Sequence, residues 1–541
     1  MPDRLHLDVP SALETGLTEA FSDFRWPVPQ SHYDSISHSF INTMEGILSD
    51  SSISPEDQTS VALSIYPIVH ECFYFACSYV NILACENESI DFNYSANDLF
   101  YPTIHRFRTS ESPSIDSSLA EIESSPSMGV AKRFLRNIRT QIRLVKLALL
   151  SKLTRPRKYR ITSNTLERES QKPNDVPVAD LIHGTKRAND YISTSQPHGE
   201  ISRRIATEFC KVLSTTGYTP DQLITEYFLR VSTFHLNLAK KSQNKKINRF
   251  LNTENSFLIS GTAGGFQSRM MSWLFQSHNL PVVRFTHGGE RGLMSDMRWH
   301  YPELMFADHY VVHGPREAEQ VRDAVIQKTT SRTASNLKIH SVGSGHHQKI
   351  RERSTSLTQS DSVEKVMVVT NSFTSERRSA FTSTGEDVVY LEWHLRLLNA
   401  LKATDFHISS KRHPKGNLTE TRVLGDAVDQ EILSRPFTEI LFSADAFVFD
   451  FAASAFMEAM CTNKPVVLVE FPHRRLSDAS RDDVAAVCTL VPAEYDDRNR
   501  IQADFDHVIK GITRKVDISA RQKFLEEYLL YSADGLPKLF E

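Results

Sequence analysis

DFHISSKRHP at residues 405–414 and AFVFDFAASAFMEAMCTNKPVVLVE at residues 446–470 decide how this chain is read. The first is an extended run ending in Lys411, Arg412, His413 and Pro414. The second reads as a strand, a tight turn carrying Asp450 and Ser454, a helix carrying Glu458, and another strand. A cationic turn after one strand, and a small-residue turn opening a helix after the next, suit the phosphates of a nucleotide.

The pattern extends in both directions. VEKVMVVTN (363–371), PVVLVE (465–470) and CTLVPA (488–493) read as further strands, with helices over 389–401, 437–443 and 454–460. Upstream, FLISG (257–261), PVVRFTHGG (281–289), HYVVHG (309–314) and KIHSVGS (338–344) alternate with helical segments. Short apolar runs alternating with helices predict parallel, doubly wound sheets. Ligands of such sheets bind beyond the carboxyl ends of the strands, where His287, His313 and Ser344 fall. The expected fold class is α/β, with two Rossmann-type modules facing a cleft and a largely helical N-terminal extension. The expected division is 1–250 helical, 251–350 first module, 351–363 polar linker, 364–515 second module and 516–541 a C-terminal helix. That helix is placed to cross back and brace the first module.

Several side chains can carry chemistry. His287, Gly288, Gly289 and Glu290 follow a strand. The paired glycines allow a tight turn, and His287 has a pKa suited to a general base. Glu290 and Asp296 compete for that role, and a plain structural turn is the alternative. Lys411, Arg412 and His413 suit phosphate oxygens, with Pro414 stiffening the turn; an exposed basic turn is the alternative. Asn371, Ser372 and Thr374 add donors at the neighbouring strand end. Arg377 and Arg378 either reach the same face or are solvated. Ser454 opens a helix, and Glu458 lies one turn on along the same face, placed to accept ribose hydroxyls. Asp450 does likewise, orients the loop or caps the helix. GTAGGF (261–266) lacks the spacing of a dinucleotide fingerprint and the Lys-Ser/Thr of a P-loop, and no GxSxG occurs.

The N-terminal half says less. An apolar run over 61–83 is a core element, and no run reaches the roughly 20 residues that span a bilayer. Residues 110–127, rich in Ser and Pro, read as a surface loop, and 164–199 as a linker or insertion. Residues 130–160 alternate apolar positions with Lys132, Arg133, Arg136, Arg139, Arg143 and Lys146. Such a basic amphipathic helix either lies on an anionic membrane surface or packs with its basic face solvated. The length of 541 residues implies two or three domains. A net charge of −4 gives no support for a nucleic-acid partner. Six scattered cysteines form no metal or CxxC pattern and read as buried thiols of a reducing compartment. No signal peptide is evident, so the cytoplasm is the expected location.

Taken in order, VRFTHGG, then Lys411 to Pro414, then Asp450, Ser454 and Glu458 resemble the motifs of GT-B glycosyltransferases. The likeness is to bacterial surface-polysaccharide transferases: the capsule Kdo or sialic-acid transferases and the CDP-glycerol glycerophosphotransferases. It covers about residues 255–515. The resemblance implies a nucleotide-activated sugar in the second module and a glycan or lipid-linked acceptor in the first. It implies His413 and Ser454 on the donor phosphate, and His287 at the position of the base. Here Gly-Gly-Glu follows that histidine where the glycerophosphotransferases have Gly-Thr-Pro. No cofactor or metal beyond the nucleotide sugar is implied. The expected role is transfer of a sugar, such as Kdo or a sialic-acid-like sugar from CMP, in capsule or O-antigen synthesis. The enzyme would sit peripherally on the cytoplasmic face of the inner membrane through residues 130–160. A CDP-glycerol-type polyol-phosphate transferase, a non-hydrolysing nucleotide-sugar epimerase and a non-catalytic polysaccharide-assembly protein are the alternatives.

Overall fold

The computed structural model describes residues 4–109, 114–124, 158–160, 176–177, 199–243, 256–261, 265–296, 298–328, 337–357, 362–373, 378–413, 418 and 421–530. Near the N-terminus β1 (Leu5–His6) pairs in parallel with β2 (Phe92–Asn93).

The first large sheet contains β3 (Lys158–Arg160), β4 (Val176–Pro177), β5 (Phe257–Ser260), β6 (Val282–Phe285), β7 (His309–Val312) and β8 (Lys338–Ser341). All pair in parallel, in the order β4-β3-β5-β6-β7-β8. The first module therefore does not begin at residue 251. Two of its strands lie in segments that read as a basic tail and a linker. Three residues, Lys-Tyr-Arg, carry no periodicity, and only the pairing of Tyr159 with Leu258 reveals the strand.

The second sheet contains β9 (Lys365–Thr370), β10 (His407–Arg412), β11 (Gln430–Ile432), β12 (Ala446–Phe449), β13 (Val466–Glu470), β14 (Thr489–Tyr495) and β15 (Ile501–Ala503). Its order is β11-β10-β9-β12-β13-β14-β15, parallel except for the final β14–β15 pair. Strand order reverses between β9 and β12, which opens a crevice at their carboxyl ends. The two faces divide by the two-residue period of a strand. Val366, Val368, Ala446 and Val448 pack into one core, while Met367, Val369, Phe447 and Phe449 pack into the other.

The helical N-terminal region shares the first of those cores. Helices Gln30–Leu48, Pro55–Asn87, Glu200–Thr215 and Gln222–Gln243 pack together, with Phe40 stacked on Phe209 at 3.9 Å and Phe75 on Tyr227 at 4.1 Å. Pro55–Asn87 is, by length and composition, apolar enough to cross a membrane, which corrects the expectation that no run is. It is a core helix here: 83% of its most apolar window is buried inside the protein. Asn81 donates to Glu386 at 3.0 Å, and Arg298 of the first module donates to Ser37 at 2.8 Å, so the helices touch both modules. The basic segment lies outside the described residues except for Lys158–Arg160, which form β3.

The segment expected as a polar linker begins as the end of helix Gly345–Ser356. Arg351 and Ser354 in it are held by the second module and the C-terminal helix. Arg351 donates to Gln522 at 3.0 Å and to Asn463, and the Asn463 N–H donates to Ser354. The C-terminal helix Ile518–Tyr528 crosses back to the first module. Gln320 donates to the Tyr528 hydroxyl at 3.0 Å, and the Ser344 N–H to the Leu529 carbonyl at 2.9 Å. Contact is so close that a side chain at Gly314 would run into the Glu527 carbonyl. Five cysteines are buried, Cys210 is partly so, and all six are free thiols.

Candidate functional site

A cavity of about 370 Å³ opens at the carboxyl ends of β9, β10 and β12, where strand order reverses. Asn371, Lys411, Arg412 and His413 line one side; Asp450, Ser454 and Glu458 line the other. The fold thus gathers seven of the predicted residues around one space. Ser372 lies in a smaller adjoining cavity with Asp450 and Arg474. Pro414, Thr374 and Arg377 lie outside the described residues.

The cationic turn is not an exposed one. Lys411 and Arg412 are 3% and 2% exposed, and only His413 reaches solvent. β11 pairs along the edge of β10 and carries Glu431, which lies beside Arg412. Its segment gave no strand signal, since QEI is short and mostly polar. Lys411 Nζ donates to the Arg412 carbonyl at 2.6 Å. Arg412 donates to the Thr421 carbonyl, lies 3.6 Å from Glu431 and sits 5.8 Å over the Phe373 ring. Burial lowers the pKa of both, and for Lys411 the neighbouring Arg412 adds to it. Two desolvated cations at a cavity wall favour an anion there.

Asp450 is held from behind. Its Oδ2 accepts from the Tyr390 hydroxyl, lies 3.0 Å from His394 Nε2 and is 3.4 Å from the Asn371 N–H. Tyr390 and His394 come from helix Asp387–Lys402, so Asp450 ties that helix to the ends of β9 and β12. Burial, then the Asp450 charge, pushes the Tyr390 phenol well up. Of the roles expected for Asp450, orienting the loop has this geometry; no capping bond forms at the next helix.

Helix Ser454–Met460 starts where expected, with Ala453 as its N-cap. Glu458 Oε1 lies 2.9 Å from His346 Nε2, at the start of helix Gly345–Ser356.

The first module reaches the same place. Gly288 and Gly289 have φ of 86° and 83°, in the left-handed region that favours glycine. A Cβ on Gly288 would lie 2.9 Å from the Ser454 Cβ, so the His-Gly-Gly loop seats directly on the second module. His287 is half-buried at the end of β6. Glu290 turns inward: it is 4% exposed, 3.7 Å from Arg291, and burial raises its carboxyl pKa. Burial would raise Asp296 too, but hydrogen bonds from Arg298 hold it below the usual range. Arg378 belongs elsewhere, buried against Glu386 and over the Tyr33 ring at 4.2 Å. His313 is buried beside Glu317 at 3.4 Å, and Ser344 caps the helix that follows it.

Sequence reasoning missed His346, Tyr390, His394 and Arg474. His346 lay in plain view in SGHH, directly after a strand end. The other three act from helices and loops whose contacts no local pattern reveals. Among the described residues, no group of three or more His, Cys, Asp or Glu could hold a metal ion.

No family model matches the chain, and no curated protein matches it. Among solved structures it is similar to UGT89C1 of Arabidopsis thaliana, at 14% identity and a TM-score of 0.34, covering 68% of this chain and 85% of that one. CalG4, the calicheamicin glycosyltransferase, gives 13% identity and a TM-score of 0.31, covering 71% and 88%. Phytolacca americana UGT2, complexed with UDP-2fluoro-glucose and pterostilbene, gives 11% and 0.31, covering 69% and 86%. The fold is read from the chain's own strand orders: two Rossmann-type α/β modules, brought together where the His-Gly-Gly loop meets Ser454.

Proposed function

We propose that this chain is a glycosyltransferase that takes a nucleotide-activated sugar in the second module's cavity and transfers it to an acceptor hydroxyl. The observation that carries the reading is the cavity itself. It lies where strand order reverses, it is lined by two desolvated cations, and the His-Gly-Gly loop of the other module abuts it.

In the proposed reaction the acceptor oxygen attacks the anomeric carbon as the bond from that carbon to the phosphate oxygen breaks. His287 takes the acceptor proton. It is half-buried, whereas Glu290 is buried and Asp296 accepts from Arg298. Lys411, Arg412 and His413 neutralise the departing phosphate, which is where negative charge grows. Asn371 and Ser454 add donors, and Glu458 accepts from ribose.

The finer reading is a CMP-activated acidic sugar passed to a lipid-linked glycan in surface-polysaccharide synthesis, at the cytoplasmic face of the inner membrane. Its support is the ordered motif set and the basic character of residues 130–160. Thermal shift against CMP, CDP, UDP and GDP tests the core claim. One nucleotide should raise the melting temperature, and less so in Lys411→Met; no shift with any of them would overturn it. Flotation with anionic liposomes tests the membrane part. Undiminished binding after neutralising Arg136, Arg139 and Arg143 would remove residues 130–160 from that role.

A further inference from the structure

Glu458 is the carboxylate of the cavity wall carried on helix Ser454–Met460. Its side chain is 13% exposed. Oε1 is engaged by His346 Nε2 at 2.9 Å, and among the described residues nothing hydrogen-bonds to Oε2. One oxygen is therefore fixed, and the other is an acceptor without a donor at the edge of a ligand-sized space. The groups that fit it are hydroxyls, and a ribose diol supplies two.

His346 does not belong to the module that forms the cavity. It sits in the first turn of helix Gly345–Ser356, which follows β8 of the first sheet. Further along, that helix is fastened to the second module through Arg351 and Ser354 to Asn463, and to the C-terminal helix through Arg351 to Gln522. Its start is fastened to the C-terminal helix, where the Ser344 N–H donates to the Leu529 carbonyl. Asn463 lies three residues beyond the end of helix Ser454–Met460. The connecting helix thus grips the Glu458 helix at its middle and just past its end.

We propose that His346 is a positioning residue for the nucleotide site. By holding Oε1 it aims Oε2 of Glu458 into the cavity, and so makes ribose recognition depend on how the connecting helix is seated. This rests on the reading of the cavity as a nucleotide site. His346 touches no ligand in this scheme; it acts through Glu458. An imidazole donor fixes a carboxylate that would otherwise sample several rotamers, and the ligand no longer has to order it.

Calorimetric titration of the full chain decides it, using CMP, CDP, UDP and GDP, then the 2′,3′-dideoxy form of whichever binds. His346→Ala should weaken the ribonucleotide about tenfold, the scale of a hydrogen bond to a charged group. It should leave the dideoxynucleotide unchanged, and His346→Gln, which keeps a donor, should restore most of the loss. Glu458→Gln should reduce the preference for ribo over dideoxy even with His346 present. Equal losses for both nucleotides would mean that His346 merely supports the fold, and overturn the inference. So would an unchanged ribonucleotide affinity in His346→Ala. Failure of the wild-type protein to bind any of the four would overturn the nucleotide reading, and this inference with it.

Discussion

The two α/β modules are built from the same parts and are unlike in what they offer a ligand. In the second, six parallel strands run in the order β11-β10-β9-β12-β13-β14, with five buried residues on each of β9 and β10. A cavity of about 370 Å³ sits at their ends. In the first, strands of two to four residues end in loops that bury Glu290 and His313, the latter beside Glu317 of helix Pro315–Lys328. What it presents outward is a short loop, His-Gly-Gly, that docks on Ser454. One module holds; the other reaches over. Binding and chemistry should therefore separate by mutation.

His287→Ala makes the sharpest test of that division. Turnover of a sugar donor carrying the nucleotide identified by the thermal screen should fall by roughly 10²–10⁴, as expected for loss of a general base. Nucleotide affinity should stay within about twofold by titration. A matching loss of affinity would erase the division.

Gly288→Ala probes the docking. The new methyl would lie 2.5 Å from Glu290 Oε2 and 2.9 Å from the Ser454 Cβ, at a φ of 86°. Turnover should drop about 100-fold, the scale of a displacement of about 1 Å at a reacting centre. Normal turnover would show that the loop can stand off Ser454 without consequence.

Lys411→Met acts on the holding module alone. Nucleotide affinity should fall roughly 10- to 100-fold by titration, the scale of a charge-assisted hydrogen bond. An unchanged dissociation constant would remove Lys411 from the phosphate site.

The smallest effect concerns pH. Lys464 donates to the carbonyls of Leu441 and Ala444, and burial lowers its pKa from 10.5 to about 8. Between those values the unfolded chain binds more protons than the folded one, so stability rises with pH across about 8 to 10.5 and the contribution is flat below it. Melting curves of wild type and Lys464→Met should converge or cross in that window; parallel curves would refute the assignment.

The second module was largely legible because each of its site residues sits at a strand end or on the next helical turn. Apolar runs such as VMVVT and AFVF mark the strands, and the turn residues follow by position. Distance along the chain hid the rest. β3 and β4 carry two or three residues each; β3 pairs with β5 some 100 residues later, and β4 pairs with β3. The surroundings of Arg412 come from Phe373, Thr421 and Glu431, and the fixing of Asp450 depends on Tyr390, 60 residues away. Glu290 looked equivalent to His287 because spacing says nothing of which way a loop side chain turns. In the N-terminal half, composition gave helices but not the surfaces that they cover.

Helix Pro55–Asn87 has a consequence for how the chain is made. Near its start the Ala62 carbonyl accepts from Arg269 of the first module, and near its end Asn81 donates to Glu386 of the second. Those partners lie 207 and 305 residues later. At 5–20 residues per second, roughly 15–60 s of synthesis separates the helix from its last cover. A long apolar helix thus leaves the ribosome well before the residues that cover it, which makes it a natural client segment for a chaperone acting during translation.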